Sequence, residues 1–211
     1  GKGNIQAIKL IGTLLKHKSA DVRKSALEVL KEIADPQHKE ALSITSSCLS
    51  HRSSDVRRLA LEAFVEFSKH GDASAIKAVC KVLKDEEDVV KESALIALAK
   101  LAPIRHENAI LSACACLTSK DECVRKAAVE TLQKLGESSE LATLQVSSVM
   151  SKHLDPLVRE AASQVLVKVA PRGSIVAIKA LSKRMAKELG QARIDASEAL
   201  QYIGKGSPAV A

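Results

Sequence analysis

The chain has no tryptophan, one tyrosine and two phenylalanines among its 211 residues. An aromatic content of 1% leaves almost nothing on which a nucleobase, a pigment or a sugar ring could stack. Any core has to be built from Ala, Val, Leu and Ile. There is no run of about 18 uncharged apolar residues long enough to cross a bilayer. The first residues also lack the order of basic start, apolar stretch and small-residue cleavage site that directs secretion. A C-x-x-C pair is absent, and the five cysteines, Cys48, Cys80, Cys114, Cys116 and Cys123, are odd in number. Cys80 and Cys114 are separated by 34 residues, so they fall at equivalent places on neighbouring units, where helix spacing exceeds the usual disulfide reach. The cysteines are therefore expected as reduced core residues, and the chain as a soluble one of the cytoplasm or nucleus. No alternating run bounded by Asn-Gly or Asp-Gly signals a strand. The opening Gly1-Lys2-Gly3 carries no Met, which is read as the mark of a processed piece of something longer.

What is present is a strict repeat. Val22-Arg23 returns as Val56-Arg57, Val90-Lys91, Val124-Arg125, Val158-Arg159 and Ala192-Arg193, always at an interval of 34 residues. Self-similarity of this kind marks stacked copies of one supersecondary unit that cannot bury its apolar face alone. With 46% hydrophobic and 27% charged residues, the composition suits a packed core.

Aligned by that interval, the units give columns with physical meaning. One column is Ala26, Ala60, Ala94, Ala128, Ala162 and Ala196 without exception, a position that lets two helices approach closely. Two more run Leu30, Phe64, Leu98, Leu132, Leu166, Leu200 and Ile33, Phe67, Leu101, Leu135, Val169, Ile203. Together with the Val22 column they recur at i, i+4, i+8 and i+11, one apolar stripe of an α-helix. Ser19, Ser53, Asp121 and Asp155 are predicted to cap its start, with Pro156 in the first helical place. A small residue closes each copy, and Pro103 and Pro171 stop two of them.

A fainter pattern, with Ile8, Leu42, Ile76, Ile110, Leu144 and Ile178 in one column and Leu15, Leu49, Leu83, Leu117, Ser151 and Met185 in another, predicts a preceding helix. Each unit is thus a helical hairpin. The expected units span about 4–36, 37–70, 71–104, 105–138, 139–172 and 173–204, a single array over 1–204 followed by a flexible tail at 205–211.

The second helix resembles the short, phycobilin-lyase-type HEAT-like repeat, D-x-x-V-R-x-x-A-x-x-x-L-x-x-I/L. It is matched from Asp121 through Val124-Arg125, Ala128 and Leu132 to Leu135, and again from Asp155 through Val158-Arg159, Ala162 and Leu166 to Val169. Tetratricopeptide repeats need large aromatics, and ankyrin repeats a T-P-L-H segment; neither is here. The resemblance implies an all-α fold, a right-handed α-α superhelix of six 34-residue hairpins. It further implies that Arg23, Arg57, Lys91, Arg125, Arg159 and Arg193 bond with capping acids such as Asp121 and Asp155 as a ladder between repeats. Units one and two depart from the pattern by placing Asp21 and Asp55 beside the Val, unit three offers Glu87-Asp88, and unit six lacks the cap.

In that family the face of the second helices opposite the apolar stripe resembles a concave binding surface. Here it would carry Lys24, Glu28 and Lys31; Arg58, Glu62 and Val65; Glu92, Ile96 and Ala99; Lys126, Glu130 and Gln133; and Glu160, Gln164 and Val167. Signs alternate along these columns, whereas a groove gripping phosphates would be lined with Lys and Arg. Excess base gathers instead on first helices, at Lys9, Lys16, Lys77, Lys81, Lys84, Lys179, Lys183 and Lys187, consistent with a net charge of +7. The expectation is a non-enzymatic scaffold whose partner is another protein or peptide, with Ile96 near the centre of an apolar anchor.

Nucleic acid or another anion on the basic convex side is the first alternative. A bilin-lyase-like or other catalytic subunit completed by a partner chain is the second. No membrane partner and no cofactor or metal is expected. Deoxyhypusine hydroxylase is similar in fold but holds iron with several His-Glu pairs, and His106-Glu107 is the one such pair here. HEAT-like DNA glycosylases also look like such an array, but the aromatic lining a flipped base wants is missing. Gly204-Lys205-Gly206-Ser207 lacks the glycine spacing of a phosphate loop. The terminal units are as apolar inside as the middle ones, which predicts end-to-end self-association.

Overall fold

The computed structural model describes residues 3–205, so that Gly206 and Ser207 lie outside the described residues with most of the expected tail. Twelve α-helices and no strand occur among them: α1 (Ile5–Leu14), α2 (Ala20–Ile33), α3 (Lys39–Cys48), α4 (Ser54–Phe67), α5 (Ala73–Val82), α6 (Asp88–Leu101), α7 (Glu107–Cys116), α8 (Glu122–Leu135), α9 (Glu140–Lys152), α10 (Pro156–Val169), α11 (Ile175–Lys187) and α12 (Gln191–Gly204). They pair as six hairpins and fall into two compact units that meet in sequence at Ala102/Pro103. In the first unit α2 packs on α4 and α4 on α6; in the second α8 packs on α10 and α10 on α12. The odd-numbered helices pack beside them, α1 on α3 in the first unit and α7 on α9 and α9 on α11 in the second.

The alanine column forms the seam. Ala26, Ala60, Ala94, Ala128, Ala162 and Ala196 are all buried, at 3% exposure or less. Flanking them, Leu30, Leu98, Leu132 and Leu166 are wholly buried, each contributing about 2 kcal/mol of transfer free energy.

Each hairpin is closed by one recurring backbone device. The residue before the first-helix cap has φ > 0 at Gly3, Gln37, Gly71, Arg105, Ser138 and Gly173. In four of the six its N–H reaches the last turn of the second helix: Gly3 to Ile33, Gly71 to Leu101, Arg105 to Leu135 and Gly173 to Ile203. A left-handed backbone turns the chain into the first helix while satisfying a C-terminal carbonyl.

One expectation fails in the fifth hairpin. The repeat interval predicts Leu144 in the core, yet Leu144 is 55% exposed, and Ala142, Thr143, Val146, Ser147 and Met150 fill the interior of α9. The link before α9 is Gly136–Ser139, one residue shorter than Ala102–His106 before α7, so every side chain of α9 is displaced by one place. Gly136 makes the short link feasible: a Cβ there would lie 2.8 Å from the Leu132 carbonyl oxygen and 2.9 Å from Val169 Cγ1. Three extra residues in α9, relative to the ten of α7, and a shorter turn before α10 restore the register. Ser151 is accordingly half-buried and Met150 takes the core position.

Candidate functional site

The second helices expose the face opposite the alanine seam. On α2, Lys24, Glu28 and Lys31 point to solvent; on α4, Arg58 is tied to Glu62 at 2.7 Å and Val65 is half-buried. On α6, Ile96 is 47% exposed between half-buried Glu92 and Ala99. On α8, Lys126 pairs with Glu122 at 2.6 Å, Glu130 is exposed, and the Gln133 side chain donates to the Gln164 carbonyl at 3.4 Å. Glu160 and Gln164 are exposed and Val167 half-buried on α10.

Only some of these residues converge. In the first unit Lys31, Glu62, Val65 and Ile96 share a groove of about 330 Å³ with Leu61, Glu66, Ser93, Ala97 and Lys100. Its floor is aliphatic, and its rim carries both signs. In the second unit Lys126, Glu160 and Gln164 line a smaller groove between α8 and α10 with Leu157. Glu160, Gln164 and Val167 face Asp195, Glu198 and Tyr202 across a groove of about 460 Å³ between α10 and α12. Lys24, Glu28, Arg58, Glu92, Ala99, Glu130 and Gln133 lie outside these three grooves. Lys100, Glu66 and Tyr202 are missing from the sequence-derived set although they form a column of their own at the 34-residue interval.

The arginines after the Val column are occupied structurally. Arg23 reaches Asp55 at 3.0 Å and Arg57 grips Asp85 in a fork at 2.6 and 2.7 Å. Arg159 reaches Glu188 at 2.6 Å. All three pairs join a repeat to the following one. Each of these guanidinium groups, and that of Arg125, also donates to carbonyls in the turn between the two helices of its own hairpin, at His17 and Lys18, His51, Ser119 and Lys120, and His153 and Leu154.

The acids differ from those the resemblance implied. Asp121 and Asp155 accept from the Val124 and Leu157 N–H groups as helix caps, and Arg193 donates to the Met185 carbonyl. Lys91 pairs within its own helix with Asp88 at 2.7 Å. Ser19 and Ser53, expected to cap with their hydroxyls, make no side-chain cap bond.

The turn beneath each arginine contains a device that the sequence reading missed. His17, His51 and His153 each accept, through Nδ1, the N–H two residues on, and Asp85 and Ser119 do the same through oxygen. These five residues stand at the 34-residue interval, the signal that would have found them. Burial, and then the charges of Lys16, Arg52, Arg23 and Arg57, hold the His51 imidazole below the usual histidine range, which suits an Nδ1 that must accept.

Burial alone would raise the Asp85 carboxyl. The Arg57 fork, the Glu87 N–H and the Arg57 charge overcome it and hold the group below the ordinary carboxylate range. A depressed folded-state value means that the pair stabilises the protein above the unfolded carboxylate pKa and that this contribution disappears as pH falls through the folded value. Asp85→Asn is expected to cost about 2 kcal/mol at neutral pH. Urea midpoints of variant and parent should converge as the pH drops below about 4.

Among the described residues no group of three or more His, Cys, Asp or Glu is placed to hold a metal ion. His106 serves as the cap of α7, accepting from the Ala109 N–H. Cys48, Cys114 and Cys116 are buried, and burial pushes the Cys114 thiol up to about 12. Cys80 is half-buried, and Cys123 is exposed, which corrects its assignment to the core. No described helix is long and apolar enough to cross a membrane.

Residues 8–99 match the family model of HEAT repeats. A comparison with curated proteins finds no match. Among solved structures, an engineered protein is 20% identical over 94% of this chain and 99% of its own, with a TM-score of 0.55. A computationally designed armadillo repeat protein for modular peptide recognition is 18% identical over 92% and 98%, also at 0.55. The HEAT-like repeats protein of the archaeon Thermococcus onnurineus NA1 is 18% identical over 95% and 88%, at 0.52. At these identities the likeness is one of fold, that of armadillo and HEAT repeat solenoids.

Proposed function

We propose that the protein, whose residues 8–99 match the family model of HEAT repeats, is a non-enzymatic scaffold that binds a partner polypeptide on the exposed faces of its second helices. One observation carries the reading: the groove across α2, α4 and α6, with an aliphatic floor at Leu61, Val65, Ile96 and Ala97 and a rim of Lys31, Glu62, Glu66 and Lys100. An apolar centre within a charged rim is the composition of a protein contact, where a few anchors carry most of the energy and the rim sets register. The designed neighbour made for modular peptide recognition supports the reading by analogy of fold. The cation column, with Arg23, Arg57 and Arg159 engaged between repeats and Lys91, Arg125 and Arg193 bonded within their own, does not offer a phosphate track.

Ile96 is the anchor. It is 47% exposed, so its replacement costs little folding energy. Ile96→Glu is expected to weaken partner binding at least about 30-fold, the loss of a hot spot of about 2 kcal/mol. The urea midpoint should stay unchanged. Full affinity in the variant, measured by isothermal titration with the partner isolated from the source cell, would overturn the assignment.

A further inference from the structure

We infer that the groove between α10 and α12 is a docking site for an arginine- or lysine-rich peptide segment of another protein. The inference rests on the scaffold reading and gives this second groove its own class of occupant.

Glu160 on α10 and Asp195 and Glu198 on α12 line the groove, with Ser163 and Gln164, and no cation is among its lining residues. The chain as a whole carries a net charge of +7, so this cleft is of opposite sign to the molecule that contains it. No ion pair closes on any of the three carboxylates among the described residues. Glu160 receives one long bond from Gln164 at 3.5 Å, and Asp195 one from Gln191 at 2.8 Å. The cations nearby do not pair with them: Arg184 is buried in α11 with Nε and Nη1 unbonded, Lys126 shares the neighbouring groove with Glu160 but pairs with Glu122, and Arg172 lies over Tyr202. Carboxylates left without a cation on a concave surface attract one from outside.

The floor supplies the second half of the recognition. Val167 is half-buried, Ala199 is buried, and Tyr202, the one tyrosine of the chain, is 48% exposed. Lysine and arginine bring long aliphatic stems that pack on such a surface while their head groups reach an acidic rim. The ring also shows what it takes: the guanidinium of Arg172 lies 5.5 Å from the Tyr202 centroid, a cation over an aromatic face at the edge of the groove. A guanidinium from a partner segment fits the same chemistry on the ring and the carboxylates together. An anionic partner would meet three like charges.

The test is fluorescence anisotropy of the whole protein with a labelled decapeptide alternating arginine and leucine, beside its glutamate–leucine counterpart. The arginine peptide should bind, the glutamate peptide should not, and the affinity should fall as salt rises from about 50 to 200 mM. Glu160→Gln with Glu198→Gln should weaken binding about tenfold, and Tyr202→Ala about threefold. These side chains are exposed, so circular dichroism should show the fold intact. Ile96→Glu, in the other groove, should leave the peptide affinity unchanged. Equal binding of both peptides, or an affinity indifferent to the double Gln variant, would overturn the inference. Since the first groove is tested by Ile96→Glu against the native partner, failure here leaves that result standing.

Discussion

Ala128→Leu is expected to lower stability by about 3 kcal/mol, a large share of what a domain of this size possesses. Ala128 has no exposed surface, and it belongs to the column that is alanine in every repeat. Its helix, α8, is packed against α7 on one side and α10 on another. Three added carbons in that seam must drive the helices apart or force strained rotamers, and either response spoils contacts along the whole length of the pair. Ala115, on the exposed side of α7, is the control. Leu at 115 should move the urea midpoint by less than about 0.5 kcal/mol. A tolerated Leu at 128 would mean that the second helices do not meet through an alanine floor.

The opposite sign is expected at Arg184. The residue is 5% exposed, yet Nε and Nη1 lack hydrogen-bond partners. Burial pulls the group below the usual arginine range, while Glu188, Asp195 and Glu160 oppose that shift without closing on it. The places separated from it by multiples of the repeat interval are Leu14, Cys48, Val82, Cys116 and Met150, all apolar. A charge thus stands where every other repeat has a hydrophobe, and a buried, poorly satisfied ion costs more than an apolar residue of similar shape. Arg184→Met keeps the stem volume and removes the charge. Thermal and urea denaturation should show a gain of about 1–3 kcal/mol. A loss would show that attraction to the three carboxylates outweighs desolvation.

The sequence carried the second helices almost whole, because their alanine, leucine and valine columns keep one interval and burial enforces it. The first helices were harder. Leu144 sat in the right column and still lies in solvent, since one residue fewer in the preceding link rotates α9 by a full position, and a fixed interval cannot report a deletion that is restored a helix later. Ser19 and Ser53 stand at the cap position with extended backbone, yet their hydroxyls accept nothing from the first turn, a difference from Asp121 and Asp155 that residue type at that position does not signal. The acids of the ladder were misplaced for a different reason. Arginine is long enough to reach Asp55, Asp85 or Glu188, which occupy three different positions within the repeat, so no single column marks the partner.

On the binding face, Ile96 and Val65 were legible as apolar breaks in charged columns. The α10–α12 groove was not, because Asp195, Glu198 and Tyr202 acquire meaning only when set against Glu160 and Val167 on a neighbouring helix.

On the proposed scaffold, partners meet the second helices and not the first. A photo-crosslinking phenylalanine analogue placed at 96 on α6, or at 77 on the exposed side of α5, tests it most directly in extracts of the source cell. One discrete cross-linked polypeptide is expected from position 96, abolished by excess unlabelled protein, and none from position 77. Cross-links confined to position 77 would contradict it.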